Sequence, residues 1–273
     1  MSTPSDPYDT TDFDIREFTL TAQGAFRGEL ELDSFATAPL GDDTLRLLRH
    51  VGRLESATME HLRNLLVTAT HKDARVTAFL VTWAFEKFWI ADAIDAVLES
   101  HGQPRLKEVD EGPRRHSPSE AVERRGPITR AIEAMGKGVP IVAVHMTTGL
   151  VDEWVMADAY DVLVERASDP ALTAVVDRIR AIKSRHERFF GIESRWRLDD
   201  SPRAVKQTRA SLSTAVLPIG AIERADSERT LFDALVYGGA EGHLRADAVG
   251  ERVAALPGLD STIGSAVTRK LTA

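Results

Sequence analysis

The chain has 273 residues, 43% of them hydrophobic, enough to bury one large core or one core with a small appendage. It contains no cysteine, which excludes disulfides, thiolate zinc sites, iron–sulfur clusters and a cysteine nucleophile. With 42 acidic against 34 basic residues the formal net charge is −8, a poor match to nucleic acid or to an anionic membrane surface.

Residues 1–14 are polar and acidic and lack the basic start and apolar run of a signal peptide. No apolar stretch approaches the ~20 residues of a membrane span. The expectation is a cytoplasmic protein with no nucleic-acid partner and no membrane span. Its bias to Arg over Lys, and to Ala and Val, suits a high-GC bacterial source.

Residues 1–41 read as an N-terminal arm, partly mobile, in which Phe18-Thr19-Leu20 and Leu30-Glu31-Leu32 are expected to lie extended against the body. A first long helix is expected over 42–70, capped by Asp42, with Leu45, Leu48, Val51, Met59, Leu62 and Leu66 as its apolar stripe. A second is expected over 73–99, ended by Gly102 and Pro104. Residues 103–126 carry Pro104, Pro113, Pro118 and the arginines Arg114, Arg115, Arg124 and Arg125, and read as a solvated crossover. After a short helical turn over 128–135, a third helix covers 140–167. The fourth starts with Asp169 as N-cap and Pro170 at its first position and runs to about 196.

Ser201-Pro202 opens a further helical stretch to about 227, with a break at Pro218. Two short helices, 230–237 and 246–255, are expected to close the chain, separated or ended by Gly238-Gly239 and Pro257-Gly258. The predicted architecture is all-α: a four-helix bundle over 42–200 with one long crossover, and a helical extension over 201–273 packed on it.

The chemistry lies in charged residues that fall on apolar stripes. Glu55 sits one helical turn after Val51 and one before Met59, and Glu86 lies between Trp83 and Ile90. Glu153 shares a face with Met146, Leu150 and Tyr160, while Lys183 and His186 lie between Ile179 and Phe190. A buried charge is costly unless paired, so four helices that each turn one inward imply a shared polar site. The stretch of chain from Glu55 to Glu86 is nearly as long as that from Glu153 to Lys183, so the two hairpins match in layout.

On these residues the chain resembles the ferritin-like dimetal-carboxylate superfamily, closest in layout to its acyl-carrier-protein desaturase and oxygenase branch. Trp83-Ala84-Phe85-Glu86 is similar to that branch's Trp-x-x-Glu string. Asp169-Pro170-Ala171-Leu172 through Arg185-His186-Glu187 is similar to its fourth helix. The resemblance covers about residues 42–196. It implies a ferritin-like bundle, with Glu55, Glu86, Glu153 and His186 at positions that ligate metal in the family. The motifs are broken at two places: Trp89 stands where the second helix should carry His, and Lys183 stands where the fourth should carry the Glu that bridges two metals.

An indole N–H cannot ligate, and an ammonium repels a metal pair. The expectation is therefore a degenerate centre in which Lys183, with His186, neutralises the three glutamates and Trp89 fills space vacated by metal and ligand. His145 and Tyr160 are expected nearby as supporting residues. No cofactor is expected, with iron or manganese as the alternative. The leading functional expectation is a non-catalytic or accessory protein; whether it is an enzyme stays open. The alternatives are a metal-dependent oxidoreductase of the desaturase or oxygenase type and a binder of a small apolar or acyl ligand. Pairing of two copies through helix faces completes the expectations.

Overall fold

The computed structural model describes residues 13–106, 138–221 and 226–273. The first part of the arm, most of the crossover and the predicted turn over 128–135 lie outside the described residues. Every regular element among the described residues is helical. None of these helices is long and apolar enough to cross a membrane.

The arm is not extended. Asp14 accepts hydrogen bonds from the N–H groups of Arg16 and Glu17 and so caps a short helix, α1 (Ile15–Leu20). Two 3₁₀ turns follow, Arg27–Glu29 and Leu32–Ala36. Phe18, Phe26 and Phe35 are buried, with the Phe18 ring stacked on Phe79 at 5.3 Å. Of these three anchors the sequence reading named Phe18, and the cap that turns the backbone helical was not read as one.

The predicted first helix is two helices, α2 (Asp42–Ser56) and α3 (Thr58–Leu66), broken at Ala57. Gly41, not Asp42, is the N-cap of α2, which places Asp42 and Asp43 in the first turn, where carboxylates favour the helix dipole. No proline or glycine marks the break. The segment after Leu217 sits on it: a Cβ added to Gly220, whose φ is +88°, would lie 2.9 Å from the Ala57 Cβ.

Of the remaining long helices, three begin at side-chain caps, and the other, α5, starts at Pro140 without one. Helix α4 (Ala74–Ser100) starts at Asp73, which accepts from Val76 N–H, and ends at Gly102 with a left-handed φ of +68°. Helix α5 (Ile141–Ala167) is followed almost at once by α6 (Pro170–Asp200), capped by Asp169 with Pro170 at its first turn. Helix α7 (Pro202–Thr214) starts at Ser201 and stops short of Pro218.

Three helices, not two, close the chain: α8 (Asp226–Val236), α9 (Gly239–Ala254) and α10 (Ser261–Leu271). Helices α9 and α10 meet at Gly250 and Gly264, where a Cβ on Gly264 would lie 2.3 Å from the Gly250 carbonyl oxygen. Glycine lowers helix propensity in isolation, but here it lets two backbones touch.

Helix α2 packs along α4, and α5 along α6; contacts of α2 with α5 and of α4 with α6 join the two pairs. Helices α7 to α9 cover α5, and one continuous hydrophobic core runs from Phe18 to Leu271.

Candidate functional site

Each of the four long helical stretches delivers ionisable side chains to one dry region. Glu55 comes from the last turn of α2, Glu86 and Lys87 from α4, Asp152, Glu153 and Tyr160 from α5, and Lys183 and His186 from α6. None is more than 5% exposed.

The charges alternate along a chain. Lys183 Nζ lies 2.7 Å from Glu153 Oε2 and 3.2 Å from Glu55 Oε1. Lys87 Nζ lies 3.0 Å from Glu55 Oε2 and 3.7 Å from Asp152 Oδ2. The order is thus Glu153, Lys183, Glu55, Lys87, Asp152. Uncharged donors complete it: Tyr160 O–H donates to Glu55 at 2.9 Å, Trp83 Nε1 to Glu153 at 3.1 Å, and the Ile219 N–H to Asp152 at 2.6 Å.

Glu86 forms a second group. Its Oε1 accepts from the Gln23 N–H at 2.8 Å and from Arg185, and its Oε2 faces His186 Nε2 at 2.7 Å. The other ring nitrogen of His186 points to Glu153 at 3.7 Å and so links the two groups.

The pairing sets the protonation states. Burial alone would raise Glu153, but the Lys183 ammonium and then His186 and Lys87 hold its carboxyl far below the usual range. Glu55 is likewise lowered against its burial by Lys183 and Lys87. Burial would strip Lys183 of its proton, yet Glu153 and Glu55 keep it charged well past the ordinary lysine value. Asp152 goes the other way: burial pushes it up to about 6, only partly offset by the more distant Lys87. Burial and the Glu55 charge hold Tyr160 neutral well above its ordinary value. Burial lowers His61 to about 4, with Lys87 adding to the effect.

The structure therefore brings together Glu55, Glu86, Glu153, Lys183, His186 and Tyr160. It does not bring in Trp89. That indole is half-buried at the outer side of α4, against the rings of Phe88 at 4.9 Å and Phe85 at 6.1 Å, and so does not fill the centre of the cluster. His145 is half-buried and its Nδ1 meets Thr70 Oγ1 at 2.8 Å.

Lys87 and Asp152 were missed. Each adjoins a residue already assigned inward, and neighbours on a helix point to different faces. That rule separates core from solvent only when one face is wet. Trp83, Ala84, Glu86 and Lys87 are all buried, as is the whole run from Leu150 to Met156.

The donor set does not fit a metal pair. The Glu55 and Glu153 carboxylates that would have to ligate already face ammonium, indole or phenol donors, and both Glu86 oxygens face N–H donors. Two metal ions would have to displace two lysine cations that stand among the carboxylates. Among the described residues, no group of three or more His, Cys, Asp or Glu is arranged to hold a metal ion. No protein-family profile, curated protein or solved structure matches this chain.

Proposed function

We propose that the chain is a ferritin-like four-helix bundle with one long crossover, in which a lysine–carboxylate network occupies the place of a dimetal centre. It acts as a non-catalytic, accessory protein. The observation that carries the reading is the Lys183 ammonium between Glu55 and Glu153. Those two glutamates and position 183 are where the resemblance implies metal ligands. Lys87 supplies a second cation, so two ammonium groups provide the positive charge that metal would provide in an intact relative. Such a network ties four helices to one register, because each buried charge is costly unless its partner on the next helix is in place.

The test is elemental analysis of the purified protein, before and after anaerobic loading with Fe(II) and with Mn(II), followed by desalting. The reading expects only trace metal in every sample. Stoichiometric metal that disappears in Glu86→Ala would overturn it and make a metal-dependent oxidoreductase the better reading.

A further inference from the structure

A polar cavity of about 860 Å³ opens where α2 begins and α5 turns into α6. Two helix ends of opposite polarity meet in it. Helix α2 enters with its N-terminus. Its cap, Gly41, brings no side-chain acceptor, so the N–H groups of Asp42, Asp43 and Thr44 begin a 15-residue helix at the cavity wall without an intrahelical partner. Helix α5 arrives with its C-terminus. Its C-cap, Ser168, donates its N–H to the Val164 carbonyl and its hydroxyl to the Glu165 carbonyl, which leaves the last two carbonyls, of Arg166 and Ala167, at the same wall. Aligned peptide dipoles give such ends about half a charge each, positive on α2 and negative on α5.

The side chains repeat this division. Thr44 lines the cavity and is only 5% exposed, yet its hydroxyl has no hydrogen-bond partner among the described residues. A buried donor left so costs ~1–3 kcal/mol, which a bound acceptor would recover. Arg166 adds a guanidinium, 3.4 Å from Asp43 across the cavity mouth. The acceptors are Asp42 and Asp169; Asp169 uses one oxygen for the Leu172 N–H and keeps the other. A simple anion would meet Arg166 but also three carboxylates. A simple cation would meet the carboxylates but also Arg166 and the positive end of α2. A molecule that carries both signs satisfies each half.

We propose that this cavity binds a small zwitterion of the free α-amino acid class. Its carboxylate accepts from the first N–H groups of α2, the Thr44 hydroxyl and Arg166, as anions do at helix N-termini. Its ammonium donates to the last carbonyls of α5 and to Asp42 and Asp169. The site shares no residue with the buried ion network and stands whether or not that network ever held metal.

The probes are the standard amino acids, each titrated into the full chain and followed by calorimetry. The tightest binder is then compared with its α-amide, which lacks the carboxylate, and its N-acetyl derivative, which lacks the ammonium. The site expects saturable binding of at least one amino acid, and at least about tenfold weaker binding of either derivative. Thr44→Val keeps the side chain's shape, removes the hydroxyl and should weaken binding at least about tenfold. Arg166→Ala should do the same. It changes an exposed side chain whose surface pair contributes little to folding, so it stays readable if the Thr44 variant loses stability. Leu244→Ser, at an exposed position on α9 outside the cavity, should bind like the parent. No binding by any amino acid, a derivative that binds as tightly as its parent, binding unchanged in Arg166→Ala, or binding lost in Leu244→Ser would each overturn the proposal.

Discussion

Replacing Lys183 with methionine keeps most of the side chain's volume and removes one buried positive charge. Glu153 would then keep the Trp83 indole and His186, and Glu55 would keep Lys87 and Tyr160. Removing one partner of a buried ion pair costs ~3–5 kcal/mol, because the other charge stays in the core uncompensated. At ~2–4 °C per kcal/mol for a chain near this size, the melting temperature should fall by about 6–20 °C.

The pH dependence follows from the directions of the shifts. In the parent protein Glu153 is depressed, so its pairing is fully stabilising above the unfolded-state value of about 4.3 and is lost as the pH drops through the lower folded value. In the variant, burial acts on Glu153 without the Lys183 ammonium, so protonation favours the folded state and stability rises as the pH falls. The gap between the two proteins should be widest near about pH 8 and narrow toward about pH 5. Thermal unfolding followed by circular dichroism over that range measures it. The double variant K183M/E153Q should recover part of the loss, since the stranded charge is gone. A gap below about 1 kcal/mol, or one constant with pH, would refute the argument that Lys183 holds these carboxylates ionised.

Asp152 should show the opposite slope. With its folded value raised to about 6, it stabilises the fold fully below the unfolded value of about 3.9, and this is lost as the pH rises through about 6. Asp152→Asn keeps an acceptor for the Ile219 N–H, so melting temperatures measured from about pH 4 to pH 7 should show a flatter profile than the parent. Gly149→Ala places a Cβ 2.5 Å from the Phe190 ring where α5 crosses α6 and should cost ~1–3 kcal/mol, read as a lowered urea midpoint. Of the three tyrosines, Tyr160 and Tyr237 are held neutral by burial and by Glu55 and Asp158 respectively. Alkaline difference spectroscopy should therefore show at most one tyrosinate in the folded protein near pH ~10.5, and all three in urea.

The sequence by itself determined the all-helical composition and the positions where chemistry is local. Asp73, Asp169-Pro170 and Ser201-Pro202 satisfy the first N–H groups of α4, α6 and α7 from within a few residues, so their starts could be read without the fold. The inward set of Glu55, Glu86, Glu153, Lys183 and His186 was legible for a related reason: each interrupts an apolar stripe at helical spacing.

Tertiary structure alone decided the rest. The break at Ala57 lies against a segment more than a hundred residues away in sequence and carries no proline or glycine of its own. Helix α10 pairs with α9 through two glycines that count against helix until a second backbone occupies the space beside them. Lys87 and Asp152 joined the network because α4 and α5 are enclosed on adjoining faces, so periodicity no longer separates a core side from a wet one. Trp89 stayed at the outer side of α4 although the resemblance read from the sequence implied a place inside. The positions of charges along the chain are fixed by sequence, but which charge neutralises which is settled only when helices distant in sequence bring them within about 3–4 Å in a low-dielectric interior.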